Sequence, residues 1–449
     1  MTKKTPLEKR VKRRITARSH RFFAVCSPGL KQLCYREMTA LINKYNHQTN
    51  DSHQLESDLL KSELSIQFRD IEIIPGGVEF TGSVQDCYCA NLYLRSPSRI
   101  LMRIATFKAE NFRTLEKKMG EIEWELYINQ SLPLHFEVSA KSSRLYHTDA
   151  IAQRAHQVIK EHFSKLSNIY VSLDNPAVPK IVQTIMIRAE DDSFQISIDS
   201  SGELLHKRGL KENVGSAPIR ETLAFAVLSA MNYPFGYNKS DNLYNSNQLF
   251  KSSTNRIDNL PLIDGMCGSG TFALEAAMIA NDIPAGFFRR FAFENWQCFS
   301  SRQWNHIKKI AATNIIDSDK DGGSQHPFIF ALDKDAAVLK GLERTVEIFN
   351  LSSSIKIIQG NFFDTKTINL SDNKGFVVLN PPYGKRIGEK GDSEQIFVDI
   401  GKKLQSDFKG WQAGVIIPDK KFLDHLPGRK SLIPIFHGGL EIYAAIIQI

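Results

Sequence analysis

From about residue 204 onward the sequence alternates short apolar runs with helix-forming stretches, and this pattern restricts the region to a doubly wound parallel sheet. The runs are Leu260–Ile263, Phe328–Leu332, Ile355–Gln359, Phe376–Leu379 and Gly414–Ile417. A closing pair, Leu432–Phe436 and Leu440–Ile447, is joined by His437-Gly438-Gly439, which has the length of a hairpin turn. Five parallel strands followed by a hairpin predict a seven-stranded sheet with one reversed strand.

The front half reads differently. Phe22–Val25 predicts a strand, Pro28-Gly29 a turn, and the apolar spacing over Leu30–Ile42 a helix. Residues 44–63 are polar and read as a loop. Strands at 71–74 and 77–80 flank the turn at Pro75-Gly76-Gly77. A helix over 83–95, a strand at Ile100–Phe107, a helix over 111–119, a strand at Leu134–Ala140 and a helix at Asp149–Phe163 follow. Ile181–Ala189 and Phe194–Ser200 then form a hairpin around Asp191-Asp192. Helices mixed with hairpin-linked strands imply one or two small α+β domains over 21–203.

Composition excludes several classes. With 42% apolar and 24% charged residues the chain is neither disordered nor collagen-like. No apolar run approaches the roughly 20 residues of a membrane-spanning helix. The apolar stretch Phe22–Cys26 is too short for a secretory signal. Six cysteines without metal-ligand spacing read as reduced thiols of a cytoplasmic protein, and no metal site is expected. The net charge of +8 is concentrated at the start, where residues 1–14 carry seven Lys and Arg against Glu8 alone. That predicts a flexible basic tail over 1–20 that meets a polyanion through its phosphates.

Two motifs carry the chemistry. Asp264-Gly265-Met266-Cys267-Gly268-Ser269-Gly270-Thr271 follows an apolar strand and opens the helix Phe272–Ala280. Glycines let the backbone approach a ligand, the helix start offers unpaired N–H groups, and the acidic residue before the turn suits a cationic centre. The spacing fits neither a dinucleotide fingerprint nor a phosphate loop. The second motif, Asn380-Pro381-Pro382-Tyr383-Gly384, follows the strand Phe376–Leu379 and so lies on the same edge of the sheet. The Asn380 amide oxygen, carbonyls stiffened by Pro381 and Pro382, and the ring of Tyr383 make a receptor for a planar base bearing an exocyclic amine. Between the motifs, Asp333 stands where a carboxylate holds two ribose hydroxyls, with Asp335 competing for the role. Asn361 either reaches an adenine edge or shapes a turn.

These residues resemble the THUMP-domain class I methyltransferases that modify the exocyclic N2 of guanine in bacterial large-subunit ribosomal RNA. The resemblance rests on Asp264–Thr271 with Glu275-Ala276-Ala277, on Asn380–Gly384 with Lys385-Arg386-Ile387-Gly388, and on Pro284-Ala285-Gly286 with Phe293-Glu294-Asn295-Trp296. His206-Lys207-Arg208-Gly209 and Ala217-Pro218-Ile219-Arg220-Glu221-Thr222-Leu223 fit the bridge into the catalytic domain, and Gly76–Phe80 and Phe136–Lys141 fit the front half. The chain departs from the family at Gly265, where proline is usual, at Asn361, where an acidic residue is usual, and in the polar stretch 44–63.

Behind the basic tail of 1–20, the resemblance implies a ferredoxin-like domain over 21–125, a THUMP RNA-binding domain over 126–203 and a Rossmann-like methyltransferase domain over 204–449. It implies S-adenosylmethionine bound by Asp264, Gly265, Cys267, Gly268, Ser269, Gly270, Thr271, Asp333, Asn361 and Asn380. Methyl transfer then falls to Asn380, Pro381, Pro382 and Tyr383. The implied partner is 23S ribosomal RNA or a pre-ribosomal particle, met by a monomer without membrane contact, with Lys385-Arg386 on phosphates. The alternatives are a transfer-RNA guanine-N2 enzyme, an adenine-N6 nucleic-acid enzyme, and a non-catalytic RNA-binding assembly factor.

Overall fold

The structure is a computed structural model that describes residues 6–46, 64–166, 182–210, 219–233, 260–316, 329–367, 370–371, 373–382, 390–437 and 439–449. Its strands are β1 (His20–Val25), β2 (Arg69–Ile74), β3 (Gly77–Gly82), β4 (Arg99–Lys108), β5 (Leu134–Lys141), β6 (Gln183–Glu190) and β7 (Ser193–Asp199) in the front half. The rear half holds β8 (Leu262–Asp264), β9 (Ile329–Asp333), β10 (Ile355–Gln359), β11 (Phe376–Leu379), β12 (Gln412–Ile417), β13 (Arg429–His437) and β14 (Leu440–Gln448).

In the rear sheet the order is β10-β9-β8-β11-β12-β14-β13. β8 to β12 run parallel, and β14 alone is antiparallel to its neighbours on both sides. One face packs on the helices Glu221–Ala230, Thr271–Ala280 and Ala336–Ile348, the other on Lys390–Asp407. Because the helices after β8 and β11 leave in opposite directions along the sheet, a crevice opens between these two strands at their carboxyl ends. This architecture is the Rossmann-like sheet with a terminal reversed strand that the alternation predicts.

The front half adds one finding and corrects one expectation. First, its strands form one seven-stranded sheet in the order β2-β3-β1-β4-β7-β6-β5, and the expected boundary at 125/126 lies in the connection between β4 and β5. The joint is the antiparallel pairing of β4 with β7, residues nearly a hundred positions apart. Second, residues 7–16 of the expected flexible tail are ordered: Leu7–Val11 is helical and Lys12–Thr16 forms a π-helical turn. Val11 and Ile15 are buried. Arg10 donates to Glu123 at 2.7 Å and to Glu125 at 2.6 Å, and Arg14 pairs with Glu123. An apolar pair four residues apart and two acidic partners turn a basic run into a packed element.

Other details extend the sequence reading. The helix after β1 runs from Lys31 to Asn46, beyond the expected Ile42; the remaining part of the polar stretch, 47–63, lies outside the described residues. Asp191 and Asp192 both adopt left-handed angles, φ 49° and 60°, as a two-residue turn between β6 and β7 demands. Glu221–Ala230 is a helix buried over nearly its whole circumference, so it shows no polar face by which sequence periodicity would reveal it.

The halves are locked together. The long connection after Thr271–Ala280 lies across the front half: Gly286 N–H donates to Leu92 O at 2.8 Å and Phe293 N–H to Ser200 O at 3.0 Å. Phe293 stacks on Tyr88 with centroids 4.4 Å apart. At the same junction the fully buried Glu275 carboxylate receives Arg95 at 3.0 Å and Arg208 at 3.1 and 3.0 Å. Burial alone would raise this carboxyl, but the two guanidiniums bring it below its ordinary value.

Candidate active site

The loop after β8 is stitched to both neighbouring strands. Gly265 N–H donates to Val378 O of β11 at 3.1 Å, and Cys267 N–H to Leu332 O of β9 at 2.9 Å. Gly268 N–H donates to the Asp333 carboxylate at 2.8 Å, whose other oxygen accepts from Asp335 N–H at 3.0 Å. Gly270, at φ 74°, closes the loop onto the helix, and a Cβ there would lie 2.4 Å from Leu342 Cδ1. Only glycine meets both conditions. A Cβ on Gly265 would lie 2.5 Å from the Phe362 ring, so the departure from proline matches the aromatic residue seated opposite it.

These strand ends enclose a cavity of about 410 Å³. Gly265, Cys267, Gly268, Ser269 and Thr271 form one wall, Asp333 and Asn361 a second, and Asn380 with Pro382 a third. The structure therefore brings together nine of the residues expected to bind cofactor or carry catalysis. Apolar surface comes from Ile219, Met266, Phe272, Val338, Phe362, Phe363 and Ile396, with Lys334 and Asp335 beside Asp333. Sequence reasoning did not single out this apolar lining. Its one signal was that Phe362-Phe363 directly follow Asn361 on the loop after β10.

Three expected contacts take other tasks. Asp264 is buried beneath the loop and does not line the cavity; its Oδ2 accepts from Ala273 N–H at 3.2 Å, because the amides at the start of the helix capture an anion so close to them. Gly270 and Pro381 also stand outside the lining, Gly270 as the helix cap and Pro381 as a buried support. Asn361 folds its side chain into its own turn, accepting from Phe363 N–H at 3.3 Å and donating to Asp364 at 3.0 Å, while still bordering the cavity. Asp335 caps the next helix through Ala337 N–H at 2.9 Å and borders the same cavity as Asp333. Tyr383, Gly384, the segment Lys385–Gly388, Ala217 and Pro218 lie outside the described residues.

Asn380 follows the last residue of β11. Its Oδ1 is buried and has no hydrogen-bond partner among the described residues. A buried amide oxygen left unpaired costs about 1–3 kcal/mol, which a ligand donor would recover.

A parallel sheet with one reversed strand, a glycine loop after its central strand and an Asn-Pro-Pro corner on the adjacent strand defines a class I methyltransferase, whose cofactor is S-adenosylmethionine. Residues 249–432 match the RMKL-like methyltransferase domain and residues 55–101 the RlmL ferredoxin-like domain. The chain belongs to the RMKL-like methyltransferase family. YpsC of Bacillus subtilis, provisionally assigned as an RNA methyltransferase, is 30% identical over 79% of this chain and 83% of its own length. The ribosomal RNA large subunit methyltransferase K/L of Syntrophotalea carbinolica is 27% identical over 81% of this chain. The chain spans about half the length of such K/L relatives, 48% of that one. The crystal structure of SMU.472, a provisionally assigned methyltransferase complexed with SAH, superposes with a TM-score of 0.71 at 21% identity, covering 96% of this chain and 98% of that one.

Proposed function

We propose that this protein methylates the exocyclic N2 amine of a guanine in 23S ribosomal RNA. The observation that carries the reading is the Asn380 oxygen, buried without a hydrogen-bond partner among the described residues, on the same cavity that the glycine loop lines. An acceptor fixed there suits an aromatic amine, and the names of the K/L relatives point to large-subunit ribosomal RNA.

The cavity's chemistry fits the cofactor. The Asp333 carboxylate retains lone pairs for hydroxyl donors, and the apolar surface around Phe362 suits a flat purine. S-adenosylmethionine supplies an activated methyl group on a sulfonium. The protein's share is to hold the acceptor nitrogen, whose lone pair is otherwise delocalised into the ring. A hydrogen bond from the amine to Asn380 Oδ1 favours a pyramidal nitrogen aimed at the methyl group. No strong base is required, since the amine becomes acidic only as it is alkylated.

The test is nucleoside mass spectrometry of ribosomal RNA from a strain lacking the gene, with each loss mapped to its position. Loss of one N2-methylguanosine, restored by the wild-type chain and not by Asn380→Ala, is the expected result. An unchanged nucleoside profile rejects the assignment.

A further inference from the structure

The loop after β10 supplies the cavity wall from Asn361 to Phe363 and bonds largely to itself. Asn361 folds its side chain into its own turn, and Thr365 Oγ1 donates to Asn361 O at 2.9 Å. The N–H groups of Asp364 and Thr365 return to the same carbonyl, each at 3.1 Å. Such a turn fixes its own shape and not where that shape stands against the sheet. Gly360 N–H, bonded to Asp333 O at 2.9 Å, holds the chain where it leaves β10. Beyond that point, among the described residues, two hydrogen bonds tie 361–367 to another element, and both reach the end of the helix Lys390–Asp407.

The stronger tie is a lysine. Lys403 Nζ donates to Phe363 O at 3.0 Å and lies 2.7 Å from the Asp407 carboxylate, one turn further on. Its side chain is 10% exposed. The Lys403 ammonium and the Ser406 hydroxyl hold the Asp407 carboxyl below its ordinary value. A charged donor held away from water fixes a carbonyl more firmly than a neutral one does. The second tie is Thr367 Oγ1, which donates to Asp407 O at 2.8 Å. Phe362 also stacks on Phe408, just past the helix, with centroids 5.7 Å apart. Two turns before Lys403, about 10 Å along the helix, Ile396 lines the cavity. One helix thus borders the ligand space and anchors a loop that walls it.

We propose that Lys403 is a positioning residue for S-adenosylmethionine, through which the end of the helix Lys390–Asp407 holds the Phe362–Phe363 surface in place for the flat purine of the cofactor. Lys403 is not part of the cavity lining and acts through the Phe363 carbonyl. Without this anchor the loop must be ordered at the moment of binding, and that cost is read in affinity. Asn380 is placed by β11 and not by this loop, so transfer within the bound complex should change little. The inference rests on the reading of the Phe362 surface as the purine wall, and not on which base is methylated.

The test compares the full chain with Lys403→Met, which removes the charge, with Lys403→Arg, which keeps a charged donor, and with Phe363→Ala, which strips the wall directly. Calorimetry measures the Kd of S-adenosylmethionine and of S-adenosylhomocysteine, which share the purine. Lys403→Met is expected to raise both about tenfold, and Lys403→Arg to bring them back within about threefold of the wild type. On ribosomal RNA from the deletion strain, KM for S-adenosylmethionine should rise by the same factor while kcat stays within about twofold. Unchanged affinity in Lys403→Met beside a loss in Phe363→Ala overturns the role of Lys403, as does a fall in kcat at constant KM. Unchanged affinity in both variants rejects the purine wall itself. If Lys403→Met does not fold, Thr367→Val removes the other tie to the same helix end and should raise both Kd values about threefold. Unchanged affinity there overturns the anchor.

Discussion

The glycine loop Gly265–Gly270 and the domain junction around Glu275 are built on one helix, Thr271–Ala280, and hold their geometry by different means. At the loop, main-chain donors meet main-chain carbonyls of two flanking strands, and the Asp333 side chain ties it from outside. At the junction one carboxylate receives two guanidiniums, away from water, one from the segment before β4 and one from the segment after β7. A loop made of backbone leaves its side-chain space empty for a ligand. A joint made of charges fills its space and tolerates no missing partner. The helix between them converts the position of the front half into the position of the cofactor wall.

The contrast breaks most visibly at Glu275. Replacing it with alanine leaves two buried guanidiniums uncompensated, and chemical denaturation should show a loss of about 3–5 kcal/mol. Exchanging all three charged residues for apolar ones of similar volume should restore most of that loss. At the pocket the effect moves from stability to turnover. Asn380→Ala should lower kcat by roughly 10²–10³-fold, the scale of one lost fixed polar contact to a transition state, while calorimetry finds S-adenosylmethionine affinity within about threefold. Within the loop, Gly270→Ala meets both Leu342 and a left-handed φ and should cost about 1–3 kcal/mol of unfolding free energy. Gly268→Ala has open space at φ 50° and should cost only the backbone strain, about 1–2 kcal/mol.

The smallest effect is a pH dependence. Burial, and then the positive charges of Arg220, Arg208, Lys207 and Arg289, hold His206 down at about 4 against its ordinary 6.5. The folded state therefore binds its proton less readily than the unfolded chain. Stability present above pH 6.5 is lost as pH falls toward 4. Melting temperatures across that range should fall less steeply in His206→Gln.

Much of this is legible in the amino-acid sequence. Each apolar run of the rear half became a strand because parallel strands buried on both faces are continuous apolar segments. Both ligand-facing loops followed from position, directly after β8 and β11. What escaped depends on partners distant in sequence. The basic start was read by its charge alone, since nothing local links Arg10 to Glu123 and Glu125. The single front sheet rests on β4 meeting β7, which no local pattern encodes. Asp264 was expected to face a ligand; its carboxylate turns instead to the helix amides just behind it. Val338, Ile396 and Ile219 are ordinary aliphatic residues whose role arises only where their elements converge.

The strap from Pro284 to Ser300 has a practical corollary for anyone dissecting this molecule. A gene fragment encoding 204–449 would carry Phe293 without Tyr88 and Glu275 with only one of its two arginines. The catalytic half should then express as an insoluble orphan, whereas co-producing residues 1–203 in the same cell should rescue it.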